Sequence, residues 1–111
     1  ERFVIVKTDS FLARIACHWM KSNDVAMVLG KTIHIYGTSP MDLLGNMDWL
    51  LHEMVHIRQF EKYGYIRFIS LYLLEWIKHG YHNNRYEIEA RDRTRQMDSL
   101  GIFDRYEFKI K

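Results

Sequence analysis

The first part of the chain has the hydrophobic pattern of a strand followed by a helix. Residues 3–6 form a short apolar run rich in β-branched side chains, which predicts a strand. Between residues 11 and 21 apolar positions recur at helical spacing, and Ser10 precedes them as a suitable N-cap. The sequence therefore predicts a strand that leads into a capped helix.

The next apolar positions are arranged as the two arms of a hairpin. Residues 25–29 and 32–36 flank the pair Gly30-Lys31, and glycine at the first turn position suits a tight connection. In the second arm Ile33 and Ile35 alternate with more polar neighbours, as in a strand with one buried face. We therefore expect two antiparallel strands.

After residue 38 the hydrophobic period becomes that of helices. Ser39 supplies a hydroxyl N-cap and Pro40 a proline at the first helical position. Gly45-Asn46 interrupts the pattern, and Asn46 is placed to cap a second start. Helical spacing then continues over residues 47–62 and stops at Gly64. We expect a short helix followed by a long one.

Two more helices and a closing strand are predicted downstream. Residues 65–79 have a helical period but are apolar nearly all round, so we expect a helix buried on more than one side rather than one lying on a membrane surface. Asn83-Asn84 can cap a helix from Arg85 to about Ser99, ended by Gly101, and alternation over residues 106–110 predicts a strand. A few strands followed mainly by helices make an α+β fold.

The composition is that of one ordinary domain. Of 111 residues 48% are hydrophobic and 27% are charged, which excludes a disordered chain, and we expect a single domain over residues 1–111. A net charge of +2 is too small an excess to predict nucleic-acid binding, and no stretch approaches the apolar length of a membrane span. The lone Cys17 excludes a multi-cysteine zinc site. Glu1 in the place of a methionine indicates a trimmed N-terminus, which leaves the cellular compartment open.

The candidate chemistry is concentrated in the motif His52-Glu53-Met54-Val55-His56 on a predicted helix. At about 100° per residue the two histidines lie about 40° apart and one turn displaced, so both imidazoles can reach one ion. Glu53 is too close in sequence to join them on the ion comfortably, but it is well placed for a water bound there. We expect a helix with ligands on one face and core residues on the other.

A catalytic zinc site needs a third protein ligand and leaves one position for water. Two carboxylates, Glu87 and Glu89, lie on a second helix that one connecting apolar helix can bring alongside the first. They are about 200° apart on that helix, so only one of them can point at the ion. His82 is a further candidate, and the residues by themselves leave the choice open.

The two motifs together resemble those of the gluzincins, the thermolysin-like branch of HExxH metallopeptidases. Over about residues 29–95 the chain is similar to small bacterial HExxH domains such as the metallopeptidase core domain of contractile injection systems. The resemblance implies a minimal zincin-like fold in which His52, His56 and Glu87 hold Zn²⁺.

The chain departs from the family pattern at one position. The family's closing aspartate, which orients a ligand histidine, falls on Arg91. A zinc-bound histidine usually donates its other N–H to a carboxylate or carbonyl, so Asp92, Glu89 or a backbone carbonyl must then serve. Gln59, one turn past His56, either lines the cleft or bonds to a neighbour.

The resemblance also implies a function: a zinc-dependent metallopeptidase whose partner is a peptide or protein substrate. Glu53 would act as general base toward the zinc-activated water and pass the proton to the leaving amine. The strand over residues 32–36 would accept an extended peptide at its edge. The alternative is a catalytically inactive zinc-binding or protein-interaction module that keeps the zincin fold. The candidates for an oxyanion donor are Tyr81, His82, Arg85 and Tyr86.

Overall fold

Four strands and five helices make up residues 2–96 and 106–111, the part of the chain that the computed structural model describes. The α+β class predicted from the sequence is confirmed. In chain order the elements are β1 Arg2–Lys7, α1 Phe11–Met20, β2 Val25–Leu29, β3 Thr32–Tyr36, α2 Pro40–Gly45, α3 Met47–Tyr63, α4 Tyr65–His79, α5 Arg85–Gln96 and β4 Tyr106–Ile110.

The strands form one mixed sheet in the order β2-β3-β1-β4. The strand β1 lies in the middle and pairs in parallel with β3, where Val6 is opposite Ile33, and with β4, where Val4 is opposite Phe108. The hairpin of β2 and β3 is antiparallel, as predicted. Because side chains alternate along a strand, Val4, Val6, Ile33 and Ile35 all lose their contact with solvent, and they form the sheet's contribution to the core.

The predicted helix starts are confirmed by their capping hydrogen bonds. The hydroxyl of Ser10 accepts from a backbone N–H of α1, and that of Ser39 does so for α2. The side chain of Asn46 accepts from the N–H of Trp49 and so separates α2 from α3. These caps satisfy donors that the first helical turn leaves unpaired. The predicted end of α5 near Ser99 and Gly101 lies outside the described residues.

The helix α3 passes through the centre of the domain. It packs against α2, α4, α5 and the strand β2. Leu50, Met54 and Ile57 on α3 are fully buried or nearly so, and they join the sheet residues in one apolar core. The position of α3 explains why its length exceeds that of its neighbours: a helix in contact with four elements buries side chains along most of its turns.

The prediction that the fourth helix is buried on more than one side is wrong. On α4 only Phe68 is buried, whereas Ile66 and Ile77 are 74% and 82% exposed. The helix packs on α3 along one side, and within the described residues its opposite side faces no other element closely. Because α4 is apolar nearly all round, its sequence did not show which face would pack against the rest of the domain.

No helix in the described part of the chain is both long and apolar enough to cross a lipid bilayer.

The turn after β3 contains a glycine that tolerates no side chain. Gly37 has a φ of +78°, and a Cβ built there would lie 2.0 Å from the carbonyl oxygen of Asn23. We expect Gly37→Ala to lower the free energy of unfolding by about 1–3 kcal/mol, because it adds both left-handed strain and a backbone clash. Urea unfolding followed by circular dichroism measures the change.

Gly45→Ala is the matched control for this substitution. Gly45 ends α2, and a Cβ there meets no atom within 4 Å. We expect this variant to be as stable as the parent or more stable by up to about 1 kcal/mol, because alanine favours the helix. Equal unfolding midpoints for the two variants would contradict the close approach at Gly37.

Candidate metal centre

The helix α3 directs His52, Glu53 and His56 toward the interior of the domain. Glu53 is 5% exposed and His56 is 7% exposed, while His52 is half-buried. The expected core face of α3 is present, but the face with the candidate ligands is covered as well. The reason is that both α5 and α4 pack against α3. The charged residues of this face therefore lie in a largely dehydrated pocket.

Glu87 on α5 completes a cluster with the two histidines. Its Oε1 lies 2.9 Å from Nε2 of His52 and 3.2 Å from Nε2 of His56. The imidazole rings are 5.0 Å apart between centroids and nearly perpendicular, so both Nε2 atoms can turn toward the same carboxylate. One ligand atom from each of the three residues falls within 4.8 Å of the others, and the group could hold a metal ion.

The other two candidates for the third position lie elsewhere. Glu89 turns away from the histidines, as the 200° separation from Glu87 requires, and lies near Arg93. His82 lies exposed in the turn before α5, where its carbonyl oxygen accepts a hydrogen bond from Arg91. The structure therefore brings Glu87, and neither alternative, to the two histidines.

Opposite charges balance one another within the cluster. Burial works against the charge on Glu87, yet hydrogen bonds from His52 and His56 hold the pKa of its carboxyl well below the usual range. Burial also works against a charged His56, but Glu87 raises the pKa of that imidazole to about 9. Without a metal ion the cluster is thus a buried ion pair, and a bound cation would replace the protons on the histidines.

Glu53 lies beside this cluster with a different electrostatic balance. Burial raises the pKa of its carboxyl to about 7, an effect that the nearby histidines only partly oppose. A carboxyl with a pKa near neutrality can both accept and release a proton under ordinary conditions. Glu53 and Glu87, two glutamates on facing helices, therefore differ in chemical character because only Glu87 is bonded directly by the histidines.

Gln59 orients the imidazole of His56 through Nδ1, the ring nitrogen that does not contact Glu87. Its Oε1 lies 2.8 Å from Nδ1 of His56, and its Nε2 donates to the carbonyl of Tyr86 and to Glu89. Since two acceptors engage the amide nitrogen, the oxygen must face the imidazole, and Nδ1 of His56 must carry a proton. In the neutral imidazole this leaves the lone pair of Nε2 facing Glu87, which is the tautomer that a metal ligand requires.

For His56 the partner of the second ring nitrogen is Gln59, and not the Asp92, Glu89 or backbone carbonyl that the sequence led us to expect. Glu89 takes part indirectly, since it accepts from Gln59 and does not touch the histidine. Arg91 itself donates to the carbonyl of His82 and fastens the turn that leads into α5. The second ring nitrogen of His56 is therefore held by an amide on α3, which a carboxylate on α5 contacts in turn.

Tyr72 on α4 holds the outer oxygen of Glu87. Its hydroxyl donates to Oε2 of Glu87 over 2.5 Å. Both histidines contact Oε1, and Nε2 of His56 lies 3.2 Å from Oε2 as well. The fully buried Asn84 links the two helices, because its amide donates to the carbonyl of Tyr72 while its oxygen accepts from the first turn of α5. Glu87 also lies in that first turn, where the helix N–H groups favour negative charge.

A cavity of about 230 Å³ opens over the cluster. Its lining includes His52, Glu53, His56 and Glu87, and Tyr81 as well. The remaining walls are apolar and come from α1, β2 and α4. A more open depression between β2 and the start of α3 also reaches His52, Glu53 and Tyr81. The cluster can therefore be reached from solvent beside β2.

The strand beside the cluster is β2, and the prediction that the strand over residues 32–36 offers a free edge is wrong. β3 is paired on both sides, with β2 and with β1. β2 is an edge strand of the sheet in the described residues and contacts α3. The hairpin pattern predicted both strands but contained no information on which of them the parallel pairing with β1 would enclose.

Among the four candidate oxyanion donors only Tyr81 lines the cavity, within the described residues. Tyr86 is buried with its ring against Phe68, and Arg85 lies over the face of Tyr86. Tyr81 packs on Trp76. Burial, the charges of Glu87 and Glu53, and a hydrogen bond to Glu87 all raise the pKa of its phenol. Its hydroxyl therefore stays protonated and able to donate.

No protein-family model, curated protein or solved structure matches this chain. What the site does must therefore be argued from its residues.

Two residues of the site were not assigned by sequence reasoning. Gln59 follows His56 by three positions on one helix, and that spacing could have indicated their hydrogen bond. Tyr72 was expected to be core packing, and no local pattern links it to Glu87, fifteen positions away on another helix. Its role depends on how α4 lies against α5.

Removal of the third ligand should abolish metal binding. We expect Glu87→Ala protein, incubated with Zn²⁺ and dialysed, to retain far less metal than the parent, which should hold about one ion per chain. Glu89→Ala is the matched control on the same helix, and we expect it to keep the ion with an affinity lowered by no more than about 10–100-fold. Plasma mass spectrometry measures the ratio. Equal loss in both variants would remove the distinction between the two glutamates.

Proposed function

We propose that this chain is a zinc-dependent metallopeptidase domain with a minimal zincin-like fold. One observation carries the proposal: Glu87 on α5 lies against both histidines of the His-Glu-x-x-His segment on α3, with Glu53 buried at the same cavity. Two imidazoles, one carboxylate and an adjacent glutamate make up the donor set and base of a hydrolytic zinc site.

The separations in the cluster suit a zinc ion. Ligands about 2.0–2.1 Å from a tetrahedral centre lie roughly 3.3 Å from one another. The carboxylate of Glu87 lies 2.9 and 3.2 Å from the two imidazole nitrogens. Small shifts would therefore admit the ion. The same donors can hold Fe(II), and the choice of zinc rests on the resemblance to the gluzincins. Bound zinc would supply Lewis acidity toward a carbonyl and toward a water.

Glu53 is the general base in this proposal. It borders the cavity beside His52 and Glu87, and burial has raised the pKa of its carboxyl to about 7. Its carboxylate takes a proton from the attacking water as the water oxygen adds to the peptide carbonyl carbon. The proton then passes from Glu53 to the amine nitrogen as the C–N bond breaks. The immediate products are a carboxylic acid and an amine, and Glu53 is regenerated. The acid then gives its proton to the amine, which leaves a carboxylate and an ammonium group.

Tyr81 is the proposed donor to the oxyanion. Tyr81 lies on the turn between α4 and α5 and lines the same cavity as Glu53. A hydroxyl in that place can donate to the carbonyl oxygen as negative charge develops on it. Tyr72 has a different role, since its hydroxyl lies 2.5 Å from Oε2 of Glu87 and supports that candidate ligand.

The edge strand β2 supports a peptide as the substrate. All five residues of β2 line the cavity that also contains His52 and Glu53, so we expect an extended chain paired with this edge strand to lie near those two residues. The apolar walls of the cavity would accept a side chain of that peptide. A cavity of about 230 Å³ is smaller than the roughly 300–1,000 Å³ that drug-sized ligands occupy, so it suits one or two side chains.

Replacement of the general base tests the proposal. We expect Glu53→Gln to lower the hydrolysis of a quenched fluorescent peptide library by at least about 100-fold, because a glutamine cannot accept the proton. The variant should still bind one zinc, since Glu53 is not a ligand here. Fluorescence release and plasma mass spectrometry on the same samples measure both properties.

The outcomes separate the two proposed classes. Hydrolysis by the parent that Glu53→Gln abolishes supports the peptidase. A parent that binds zinc but cleaves no peptide supports the alternative, a catalytically inactive zinc-binding module. Hydrolysis that survives in Glu53→Gln would overturn the mechanism.

Two tyrosine variants test the division of roles at the site. We expect Tyr81→Phe to lower kcat by about 10–100-fold with little change in zinc affinity, because it removes a donor used only in the transition state. Tyr72→Phe should instead weaken zinc binding, since it frees one oxygen of Glu87. Chelator competition measures zinc affinity, and binding of a phosphinic peptide reports the donor at Tyr81 without turnover. The reverse pattern would exchange the two roles.

A further inference from the structure

Part of the sheet is exposed on the side that faces away from the apolar core. On the central strand β1, Val4 and Val6 are fully buried in the core, whereas Phe3 is 38% exposed. Because side chains alternate along a strand, Phe3, Ile5 and Lys7 point to the opposite, outer side. The helix α1 packs on β3 and β2, and in the described part of the chain the outer side of β1 stays accessible to solvent.

The strand register extends this outer side from β1 to β4. Lys109 lies opposite Ile5, and Glu107 lies opposite Phe3. Residues directly opposite each other in neighbouring strands project to the same side of a sheet. The outward residues of β1 and β4 therefore form one continuous surface, whose layout is fixed by the paired residues.

Two lysines converge on the exposed ring of Phe3. The Nζ atom of Lys109 lies 4.6 Å from the centroid of that ring, and the Nζ atom of Lys31 lies 5.8 Å from it. Lys109 belongs to β4, whereas Lys31 belongs to the turn between β2 and β3, so the two ammonium groups reach the ring from opposite sides of β1. An aromatic ring flanked by cations is thus the centre of this surface.

Positive charge predominates around the ring. Lys7 lies at the end of β1, and Lys111 lies beside that end, because its N–H donates to the carbonyl of Val6. Among the outward residues of β1 and β4 the one acidic side chain is Glu107. None of the four lysines forms an ion pair within the described residues. We name this surface the basic sheet face; it is defined by Phe3, Lys7, Lys31, Glu107, Lys109 and Lys111.

The net charge of +2 does not reveal the basic sheet face, because many acidic side chains lie elsewhere. Asp24 and Asp48 line the open depression beside β2, and Glu53 and Glu87 are buried at the candidate metal centre. Asp9 lies in the turn that leads from β1 into α1. The local distribution of charge, and not its sum over the chain, determines where a polyanion is attracted.

Protection of a sheet edge accounts for only part of this arrangement. Edge strands often carry lysines that block pairing with another chain, and β4 is an edge strand in the described residues. Lys109 and Lys111 would serve that purpose. Lys7 lies on the central strand and Lys31 lies in a turn, however, so neither of them protects an edge. Edge protection also gives no reason for an exposed ring between the ammonium groups.

We propose that the basic sheet face binds single-stranded nucleic acid. A base stacks on the ring of Phe3 while Lys31 and Lys109 contact the phosphates on either side of that nucleotide. An exposed contact between a cation and an aromatic ring is weak, so the ammonium groups can leave the ring for a phosphate. Lys7 and Lys111 lie further along the same strands, where the next phosphates would pass. This binding goes beyond the proposed peptidase function and does not depend on it.

The exposed ring favours a single strand over the other polyanions that lysines attract. In a duplex the bases stack on one another, and their faces cannot reach Phe3. A lipid bilayer takes up several apolar side chains at once, whereas the basic sheet face exposes one aromatic ring among its lysines. A nucleotide of a single strand offers both a planar base for the ring and a phosphate for the ammonium groups.

Fluorescence anisotropy with a labelled strand of twenty thymidines tests the proposal on the full chain. We expect the parent to bind at low salt, with a slope of log K against log salt of about −2 to −3, because three or four lysines displace counterions from a single strand. Phe3→Leu keeps an apolar side chain but removes the ring. We expect it to raise Kd for the single strand about tenfold and to leave Kd for a duplex unchanged.

Two charge reversals locate the binding surface. We expect Lys109→Glu to raise Kd for the single strand at least about tenfold, because it removes a phosphate contact and adds a repulsive charge. Lys62→Glu is the matched control: Lys62 lies 5.2 Å from the ring of Tyr63 at the end of α3, so the charge change and the kind of contact are the same outside the basic sheet face. We expect this variant to raise Kd by no more than about threefold.

Each of three results would overturn the proposal. The first is a parent that does not bind the strand. The second is equal weakening by Lys109→Glu and Lys62→Glu, because the attraction would then depend on net charge alone. The third is single-strand binding that Phe3→Leu leaves unchanged; sedimentation with phosphatidylglycerol vesicles would then identify a lipid surface as the anionic partner.

The binding assay needs neither metal nor activity. The Glu53→Gln variant should therefore bind the strand like the parent, and failure of the basic sheet face leaves the peptidase proposal intact. Phe3 is partly exposed and the substituted lysines are exposed, so we expect all variants to fold, which circular dichroism checks.

Discussion

The contact between the Glu87 carboxylate and the two imidazoles of α3 is the interaction on which the rest of the structure depends. It joins α5 to α3 across the only strongly charged part of the interior that the structure describes. Burial of a carboxylate is costly, and removal of one partner from such a pair typically costs about 3–5 kcal/mol. A domain of 111 residues can offset the free energy of burying these charges only if the other polar atoms of Glu87, His52 and His56 are also hydrogen-bonded.

The surrounding residues meet that requirement one atom at a time. Tyr72 takes the outer oxygen of Glu87, and Gln59 takes the second nitrogen of His56. Asn84 ties the carbonyl of Tyr72 to the start of α5. No buried side-chain nitrogen or oxygen lacks a partner in the described part of the chain. Such a network holds the imidazole nitrogens in one orientation, which is the condition for binding an ion with little rearrangement.

Local signals in the sequence predicted the elements well, and they failed where the answer depended on tertiary contacts. Ser10, Ser39 and Asn46 act within one turn of themselves, so their caps could be predicted. The spacing of His52 and His56 likewise belongs to a single helix. The choice of Glu87 over Glu89 depends on the rotation of α5, and the bond from Tyr72 depends on the path of α4. Neither quantity is encoded in a short window of sequence.

The small size of the domain also explains why one face of α4 is exposed. A short chain buries a smaller fraction of its surface than a long one. The helix α4, which packs on α3, is therefore covered on one side only. The buried side of α4 carries Tyr72 to Glu87, while Leu73 and Ile77 on its other side face outward. The helix thus supports the candidate metal centre through Tyr72 and leaves apolar side chains exposed on its other side. A substitution on the outer side of α4 can therefore alter what approaches the cavity without disturbing the atoms that would bind the ion.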